Sequence, residues 1–432
     1  MRIFSDLHIH GRYSRATSKD LSIENLEKYA KIKGINLLGT GDFTHPLWLR
    51  ELKDKLREDG SGILKTKSGF NFLLQTEVSL MYTQGGKGRK IHLLLFAPDF
   101  ETVESINDWL SKRGRLDYDG RPVFGISAPE FAEGIKGIDE RIEIVPAHAW
   151  TPWFGIFGSA TGFDSVEECF QDQSKHIRML ETGLSSDPEM NWRISRLDRY
   201  SLISNSDSHS FWPWRIGREM NVNDLKELSY DSLMKSFTTR RGFLETIEVD
   251  PAYGKYHYDG HRMCNISMSP QYAIKHKNIC PVCGRPLTIG VLHRVEELAD
   301  RPAGFVPEGA VPFRRIIPLA ELISALTGAA LSSKNVMSKY YALIQKFGSE
   351  VEVLLNADGE KLRLEFGDEL AEAVLKNREG KLEVIPGYDG VYGILKIGDK
   401  LVSTEDEDNE HGNSVKKEQK GKNSQRGLLE FS

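Results

Sequence analysis

Cysteine is scarce in this chain, with four residues in 432, too few for a disulfide-stapled scaffold. Long hydrophobic runs are absent too: none approaches the roughly 20 apolar residues that a helix needs to cross a bilayer. No excess of positive charge is present. Against 57 Lys and Arg stand 62 Asp and Glu, a formal net charge of −5, which excludes a protein coated in positive charge but leaves room for a local basic groove. The first residues read as a strand with no basic leader ahead of them, so the expected location is cytoplasmic, with no membrane partner. A chain of this length is too long for one ordinary core and is expected to form two or three domains.

What the chain does hold is imidazole and carboxylate at strand ends. Asp6-Leu7-His8-Ile9-His10 closes one apolar run and Asp207-Ser208-His209 closes a later one, with Asp42, Glu77, His92, His148 and Glu181 between them. These ligand types hold Zn²⁺, Mn²⁺ or Fe²⁺ near neutral pH, and side chains at i and i+2 of a strand share one face. The set points to a polynuclear metal hydrolase. Two divalent ions side by side lower the pKa of a bridging water and neutralise charge on a phosphoryl oxygen, so phosphoester hydrolysis is the expected chemistry. Arg12, Arg193, Arg196, Arg215 and Arg218 are candidates to clamp the phosphate.

Strand patterns fall near residues 1–9, 35–41, 70–79, 89–97, 142–147, 177–182, 200–205 and 243–249. Helical periodicity falls between several of them, near 22–33, 101–113, 127–136, 189–197 and 229–239. Alternation of this kind predicts an α/β fold with a mostly parallel sheet, closed into a barrel. His8, His10, Asp42, His148, Glu181, Asp207 and His209 then sit at carboxyl ends, where barrel enzymes keep their chemistry. His92 lies near the start of its strand, so that strand runs the other way or reaches the site differently.

The motifs Asp6-x-His8-x-His10, Gly39-Thr40-Gly41-Asp42, Gln75-Thr76-Glu77, Ile91-His92, Pro146-Ala147-His148 and Asn205-Ser206-Asp207-Ser208-His209 resemble those of the polymerase and histidinol phosphatase (PHP) superfamily. That resemblance implies a distorted (βα)₇ barrel over residues 1–248 that binds two or three metals. It places His8, His10, Glu77 and Asp207 in one site as the catalytic set, Glu77 bridging to a second site with His92 and His148, and Asp42 and His209 in a third. The chain departs from the family pattern in having Ala16 near the place of a later His and Asp42 where His is common.

His261-x-x-Cys264, followed by Cys280-Pro281-Val282-Cys283-Gly284, matches paired zinc knuckles, the ligand set of a closed structural site. The fourth ligand stays open between His261, His257, His276 and His293. A module spanning 249–300 is too small to fold on its own core, so zinc is expected to supply much of its folding energy. Residues 301–400 read as an α+β C-terminal domain, helical over 315–350, with short strands at 361–366 and 382–398 and a further helix between them. From 401 to 432 the composition predicts a disordered tail. It ends in Gln425-x-x-Leu428-x-x-Phe431, similar to the peptides that dock on sliding clamps.

Aromatic residues follow two of the candidate ligands: Trp150, Trp153, Phe154 and Phe157 after His148, and Phe211, Trp212 and Trp214, with Arg215, after His209. Trp150, Trp153, Phe211, Trp212, Trp214 and Arg215 are candidates to bind unstacked DNA bases, and core filling is the alternative. In this order, the barrel motifs, Tyr256-His257-Tyr258-Asp259-Gly260-His261-Arg262, the Cys-Pro-Val-Cys-Gly knuckle, the stretch Leu292 to Arg301 and the tail resemble the archaeal endonuclease Q family. The resemblance implies a nucleoid-associated DNA repair endonuclease that cuts 5′ to deaminated bases (uracil, hypoxanthine, xanthine) and abasic sites. It also implies structural zinc, Zn²⁺, Mg²⁺ or Mn²⁺ in the barrel, and damaged DNA and a sliding clamp as partners. A histidinol-phosphate type phosphatase and a non-catalytic zinc-containing adaptor are the alternatives.

Overall fold

The apolar amino-terminal run forms β1 (Arg2–Asp6), which pairs in parallel with β2 (Leu37–Gly39). The computed structural model describes residues 1–397 and the strand at 400–403. Outward from β2 come β4 (Asn71–Gln84), flanked by β3 (Leu64–Lys65) and β6 (Val123–Phe124), then β5 (Lys87–Ala97) and β7 (Glu143–Pro146). The pair β8 (Met179–Glu181) and β9 (Ser201–Ile203) forms a parallel sheet of its own. On the other flank of β1 lie β10 (Met220–Asp224) and β11 (Phe243–Glu248).

The sheet is mixed, which corrects the expectation of a mostly parallel one. Strands β4 and β5 are antiparallel, as are β5 and β7, β1 and β10, and β10 and β11. The cause is local for the first pair. Gly85 and Gly86 form the whole connection between β4 and β5, with φ of 61° and 74°; a two-residue loop of this kind closes a hairpin and leaves no room for a crossover helix. Because β5 runs backwards, His92, midway along it and opposite Ser79 of β4, arrives at the same end of the sheet as residues beyond the ends of β1 and β2.

Hydrogen bonds link the curled sheet to the β8–β9 pair on both sides. The Ala149 N–H donates to the Glu181 carbonyl (3.0 Å) after β7, and beyond β9 the His10 N–H donates to the Ser208 carbonyl (2.9 Å) while the Ser208 N–H donates to the His8 carbonyl (3.3 Å). Strand β10 carries no strand pattern in the sequence because only Met220 and Val222 in it are apolar. Its Asn221 is buried nonetheless, donating to the Ser204 carbonyl and to Asn205 Oδ1.

Helices α1 (Ile23–Lys33), α2 (Pro46–Lys55), α3 (Phe100–Ser111), α4 (Ala128–Lys136), α5 (Val166–Phe170), α6 (Pro188–Trp192) and α7 (Tyr230–Thr239) alternate with these strands. Ser22 caps α1 by accepting from the Asn25 N–H, and Gly34 ends it in the left-handed conformation.

After β11 comes a small hairpin, β12 (Asp259–His261) and β13 (Ile266–Met268), followed by α8 (Pro270–Lys275) and α9 (Val291–Leu298). Strand β14 (Phe313–Arg315) then rejoins the main sheet on β11. The C-terminal unit holds α10 (Leu319–Thr327), α11 (Lys334–Phe347), α12 (Gly359–Phe366), α13 (Asp368–Arg378) and the antiparallel strands β15 (Glu383–Ile385), β16 (Ile394–Ile397) and β17 (Lys400–Ser403). The strand expected at 361–366 is the helix α12. Leu362, Leu364 and Phe366 alternate as in a strand, but Asp358 caps the first turn by accepting from the Lys361 N–H, and only Leu362 of α12 is buried while Leu364 lies in solvent. Among the described residues no helix is long and apolar enough to cross a membrane.

One buried ion pair ties the C-terminal unit to the barrel. Lys33 Nζ donates to Glu350 Oε1 (2.7 Å) and to the Pro213 carbonyl (2.7 Å), while Glu350 also accepts from the Leu319 N–H (3.0 Å) and the Tyr340 hydroxyl (2.7 Å). Both side chains are buried. Removing one member strands the other's charge, so Lys33→Met is expected to cost about 3–5 kcal/mol. Chemical denaturation followed by fluorescence should show the lower midpoint; an unchanged midpoint would refute this role.

Candidate metal centre

The ends of β1, β7 and β9 and the long hairpin β4–β5 deliver ligand atoms to one place. His8, His10, Glu77 and Asp207 offer atoms that all lie within 4.8 Å of one another, and so do Glu77, His92 and His148. Glu77 belongs to both groups and turns one oxygen to each. Its Oε1 lies 2.8 Å from His92 Nδ1 and 3.1 Å from His148 Nε2, and its Oε2 lies 3.4 Å from His10 Nε2. Asp207 Oδ1 is 3.1 Å from His10 Nε2 and 3.4 Å from His8 Nε2. The donor set suits a divalent ion in each group. One atom tests that fit: His8 Nε2 is buried without a hydrogen-bond partner, a costly state for a polar atom that a ligand bond would relieve.

A second layer of carboxylates fixes the rings. Glu181 accepts from His8 Nδ1 (3.0 Å), from the His148 N–H (2.8 Å) and from Asn205 Nδ2 (2.9 Å). Asp42 accepts from His10 Nδ1 (3.0 Å), the Gly11 N–H (2.5 Å) and the Ser14 hydroxyl (2.7 Å). A carboxylate on Nδ1 sets the tautomer that leaves Nε2 free to ligate. Asp6, the first residue of its motif, faces away, accepting from Ser206 and from the Gly217 N–H (2.8 Å), and so ties β1 to the segment carrying Asp207.

The backbone is strained here. Asp42, His148 and Asp207 adopt φ of 37°, 30° and 49°, a conformation costing non-glycine residues on the order of 1–3 kcal/mol and found where a site demands it. Beside them Gly183, at φ 62°, passes so close that a Cβ would lie 2.7 Å from that of His148.

Burial and charge oppose each other throughout. Burial disfavours the charge on Glu77, yet His92 and Arg121 outweigh it and hold the carboxyl well below the usual range. Asp207 is likewise held low against burial by His8, His10 and His209. Burial works against His8 as well, but Glu181 and Asp207 raise its pKa. His92 goes the other way, pushed down to about 4 by burial despite Glu77. A neutral His92 is ready to ligate.

Asp42 and His209 lie outside both groups. The Asp42 oxygens are taken by the three donors above. His209 packs its ring 4.4 Å from that of His10 and holds the Asp207 carbonyl through Nδ1 (3.0 Å).

The aromatic candidates divide by exposure. Trp150, Phe211 and Trp214 are buried, Trp150 donating to Asn191 Oδ1 (2.9 Å), so they pack the loops and offer no open ring to a base. Trp153 and Trp212 are 42% and 37% exposed. Arg215 lines a cleft with Arg218, Tyr253, Glu321 and Tyr392. Arg12 is engaged by Glu51 and the Leu21 carbonyl, and Arg193 by Glu296. The arginine that reaches the ligands is Arg121, whose Nη1 lies 2.9 Å from Glu77 Oε2. Sequence reading missed it because Asp117-Tyr118-Asp119-Gly120-Arg121-Pro122 carries only turn signals.

Away from the barrel, His261, Cys264, Cys280 and Cys283 also bring ligand atoms within 4.8 Å of one another. His293 Nδ1 is bound to Asp259 Oδ2 (2.6 Å) and His276 Nδ1 to the Tyr272 carbonyl (2.9 Å), while His257 stacks on Tyr258. His261 is therefore the histidine that faces the cysteines. Gln425, Leu428 and Phe431 lie outside the described residues.

Comparison with known proteins agrees with this architecture. Residues 318–381 match the family described as the MJ0043 C-terminal domain. An uncharacterised Methanocaldococcus jannaschii protein, MJ0043, is 35% identical over 255 residues, 58% of this chain but 31% of that protein, so the chain spans about a third of that relative's length. An uncharacterised Bacillus subtilis protein, YqxK, is 29% identical over 415 residues, covering 91% of this chain and 99% of the relative. Among solved structures, the lesion-specific endonuclease PfuEndoQ from Pyrococcus furiosus superposes with a TM-score of 0.83 at 32% identity, over 92% of this chain and 96% of that one. An endonuclease Q bound to a 27-mer duplex with an abasic lesion at its active site superposes at 0.82 and 33% identity, over 92% and 97% of the two chains. Shared fold and sequence over almost the whole of both solved chains place this protein in the endonuclease Q family.

Proposed function

We propose that this protein is a metal-dependent DNA repair endonuclease that hydrolyses the phosphodiester 5′ to deaminated bases and abasic sites. The observation that carries the chemistry is Glu77, which turns one carboxylate oxygen to each of two adjoining ligand groups. Divalent ions bound there supply an activated water and neutralise charge on the phosphoryl oxygens. His8, His10, Glu77 and Asp207 would hold one ion and Glu77, His92 and His148 the other, as Mg²⁺, Mn²⁺ or Zn²⁺. Asp42 and Glu181 hold the imidazoles of His10 and His8 in the ligating tautomer.

DNA as substrate rests on family membership and on the relative bound to an abasic duplex. The partly exposed rings of Trp153 and Trp212, on the loops after His148 and His209, support a role in stacking on an unpaired base. Replacing either by Ala should weaken binding of lesion-bearing duplex severalfold more than plain duplex, stacking being worth about 1–3 kcal/mol per base. Equal losses in a fluorescence anisotropy titration would count against stacking. We further propose that zinc holds His261, Cys264, Cys280 and Cys283, and that Gln425, Leu428 and Phe431 dock on a sliding clamp.

The reading is tested on duplexes carrying one deoxyuridine, deoxyinosine, deoxyxanthosine or abasic site, beside an undamaged control. The expected result is a single nick 5′ to the lesion and none in the control. No product with Mg²⁺, Mn²⁺ or Zn²⁺ would overturn it.

A further inference from the structure

We infer that Arg121 is a phosphate-contacting residue of this site, gripping a non-bridging oxygen of the diester that is cut; the inference rests on the phosphodiesterase reading above. Three partly buried arginines away from the site each grip one carboxylate with two nitrogens. Arg193 meets Glu296 at 2.7 and 2.9 Å, Arg301 meets Asp198 at 2.8 and 2.6 Å, and Arg314 meets Glu245 at 2.6 and 2.8 Å. Arg121 differs. Its guanidinium touches its carboxylate through Nη1 alone, at 2.9 Å, and that carboxylate is Glu77, the residue shared by both ligand groups. Among the described residues this is its one side-chain hydrogen bond, and the side chain remains 28% exposed. A planar fork with five N–H donors, anchored at one corner and open to solvent, is suited to a phosphate.

The chain around Arg121 is built against the site. The Gly120 N–H donates to the Tyr13 carbonyl (3.2 Å), and the Ser79 N–H donates to the Pro122 carbonyl (2.9 Å). The Gly120 carbonyl accepts from the Thr44 hydroxyl (3.1 Å), and Asp119 Oδ1 accepts from the N–H groups of Arg121 (3.3 Å) and Arg15 (3.2 Å). A Cβ on Gly120 would lie 2.4 Å from Asp42 Oδ2. The glycine therefore lets the backbone cross directly over the carboxylate that holds His10, which brings the next residue to the ligands. Fixed on both sides, Arg121 keeps its position without a second side-chain partner. With the carboxylates neutralised by bound ions, its charge and free donors are available to a diester oxygen.

The test uses the metal-loaded full chain and the variants Arg121→Gln and Arg121→Lys. Substrates are a lesion-bearing duplex with a stereodefined phosphorothioate at the cut position, and the simple diester bis(p-nitrophenyl) phosphate. We expect Arg121→Gln to keep its metal content and to bind the duplex within a fewfold of wild type. Its single-turnover rate should fall ~100-fold, as on loss of one donor to developing charge. Its preference between the two phosphorothioate diastereomers should shrink, and Arg121→Lys should not recover the rate. An unchanged rate with an unchanged preference would overturn the inference. So would metal lost in step with the rate, which would make Arg121 only a support for Glu77. Wild-type protein that cleaves the simple diester but no DNA would overturn the DNA reading, and Arg121 would still be judged on that diester.

Discussion

Glu77→Gln is expected to abolish nicking, lowering the rate by at least ~10³-fold, and to remove both barrel ions while the zinc of the cysteine cluster stays. The amide keeps the shape of the side chain but presents N–H donors where an acceptor is required. Both ligand groups share this residue, so one change should empty both. His92→Ala, by contrast, touches only the second group. Elemental analysis of the purified proteins checks the pair: three ions per chain in wild type, one for each group, the zinc alone in Glu77→Gln, and the zinc and the first barrel ion in His92→Ala. Circular dichroism should show the fold retained, because β4 is paired on both sides and does not depend on the carboxylate. Retention of both barrel ions in Glu77→Gln would refute the shared-ligand account.

Disrupting the His261, Cys264, Cys280 and Cys283 cluster, for which zinc is proposed, is expected to have the other large effect. Cys280→Ser should unfold the segment between Asp259 and Gly290 without emptying the barrel. The segment has almost no core of its own, since its buried apolar cluster is Ala273, Cys280 and Leu287, far too little to offset chain entropy. Structural zinc is worth about 10–16 kcal/mol in small modules of this kind. The segment's hydrogen bonds to the rest of the protein include the Arg262 N–H and the Thr288 hydroxyl donating to Asp389 (2.7 Å each), the Tyr388 hydroxyl donating to Asn265 Oδ1 (2.8 Å) and the Ser159 hydroxyl donating to the Ile289 carbonyl (3.3 Å), while Asp259 holds His293 (2.6 Å). Limited proteolysis should therefore cut Cys280→Ser inside this segment and leave the wild type intact. Equal resistance of the two would show that these contacts suffice without metal.

Much of the barrel was legible because its ligands occupy motif positions whose chemistry is local. His8 and His10 share a face by strand periodicity, and Glu77, His148 and Asp207 sit in short, recognisable turns or strands. The parallel sheet was over-read from the alternation of elements, while Gly85-Gly86, the signal for a hairpin, was present. Strand β10 was hidden by buried asparagines whose partners come from distant segments, and α12 by an alternation that its Asp358 cap overrides. Two features of the site have the same origin. Asp42 accepts from His10, Gly11 and Ser14, partners brought to it by the fold. Arg121 has no motif around it, and only the crossing of Gly120 over Asp42 brings it to Glu77. Long-range contacts of these kinds leave no periodic trace in a sequence.

The most direct test of the central claim is anomalous diffraction at the manganese edge from a Mn²⁺-soaked crystal of the full chain. Two peaks in the barrel are predicted, one against each oxygen of Glu77, the first also bounded by His8, His10 and Asp207 and the second by His92 and His148. A Glu77 carboxylate with no peak beside it, or ions gathered instead on exposed acidic side chains, would contradict the account.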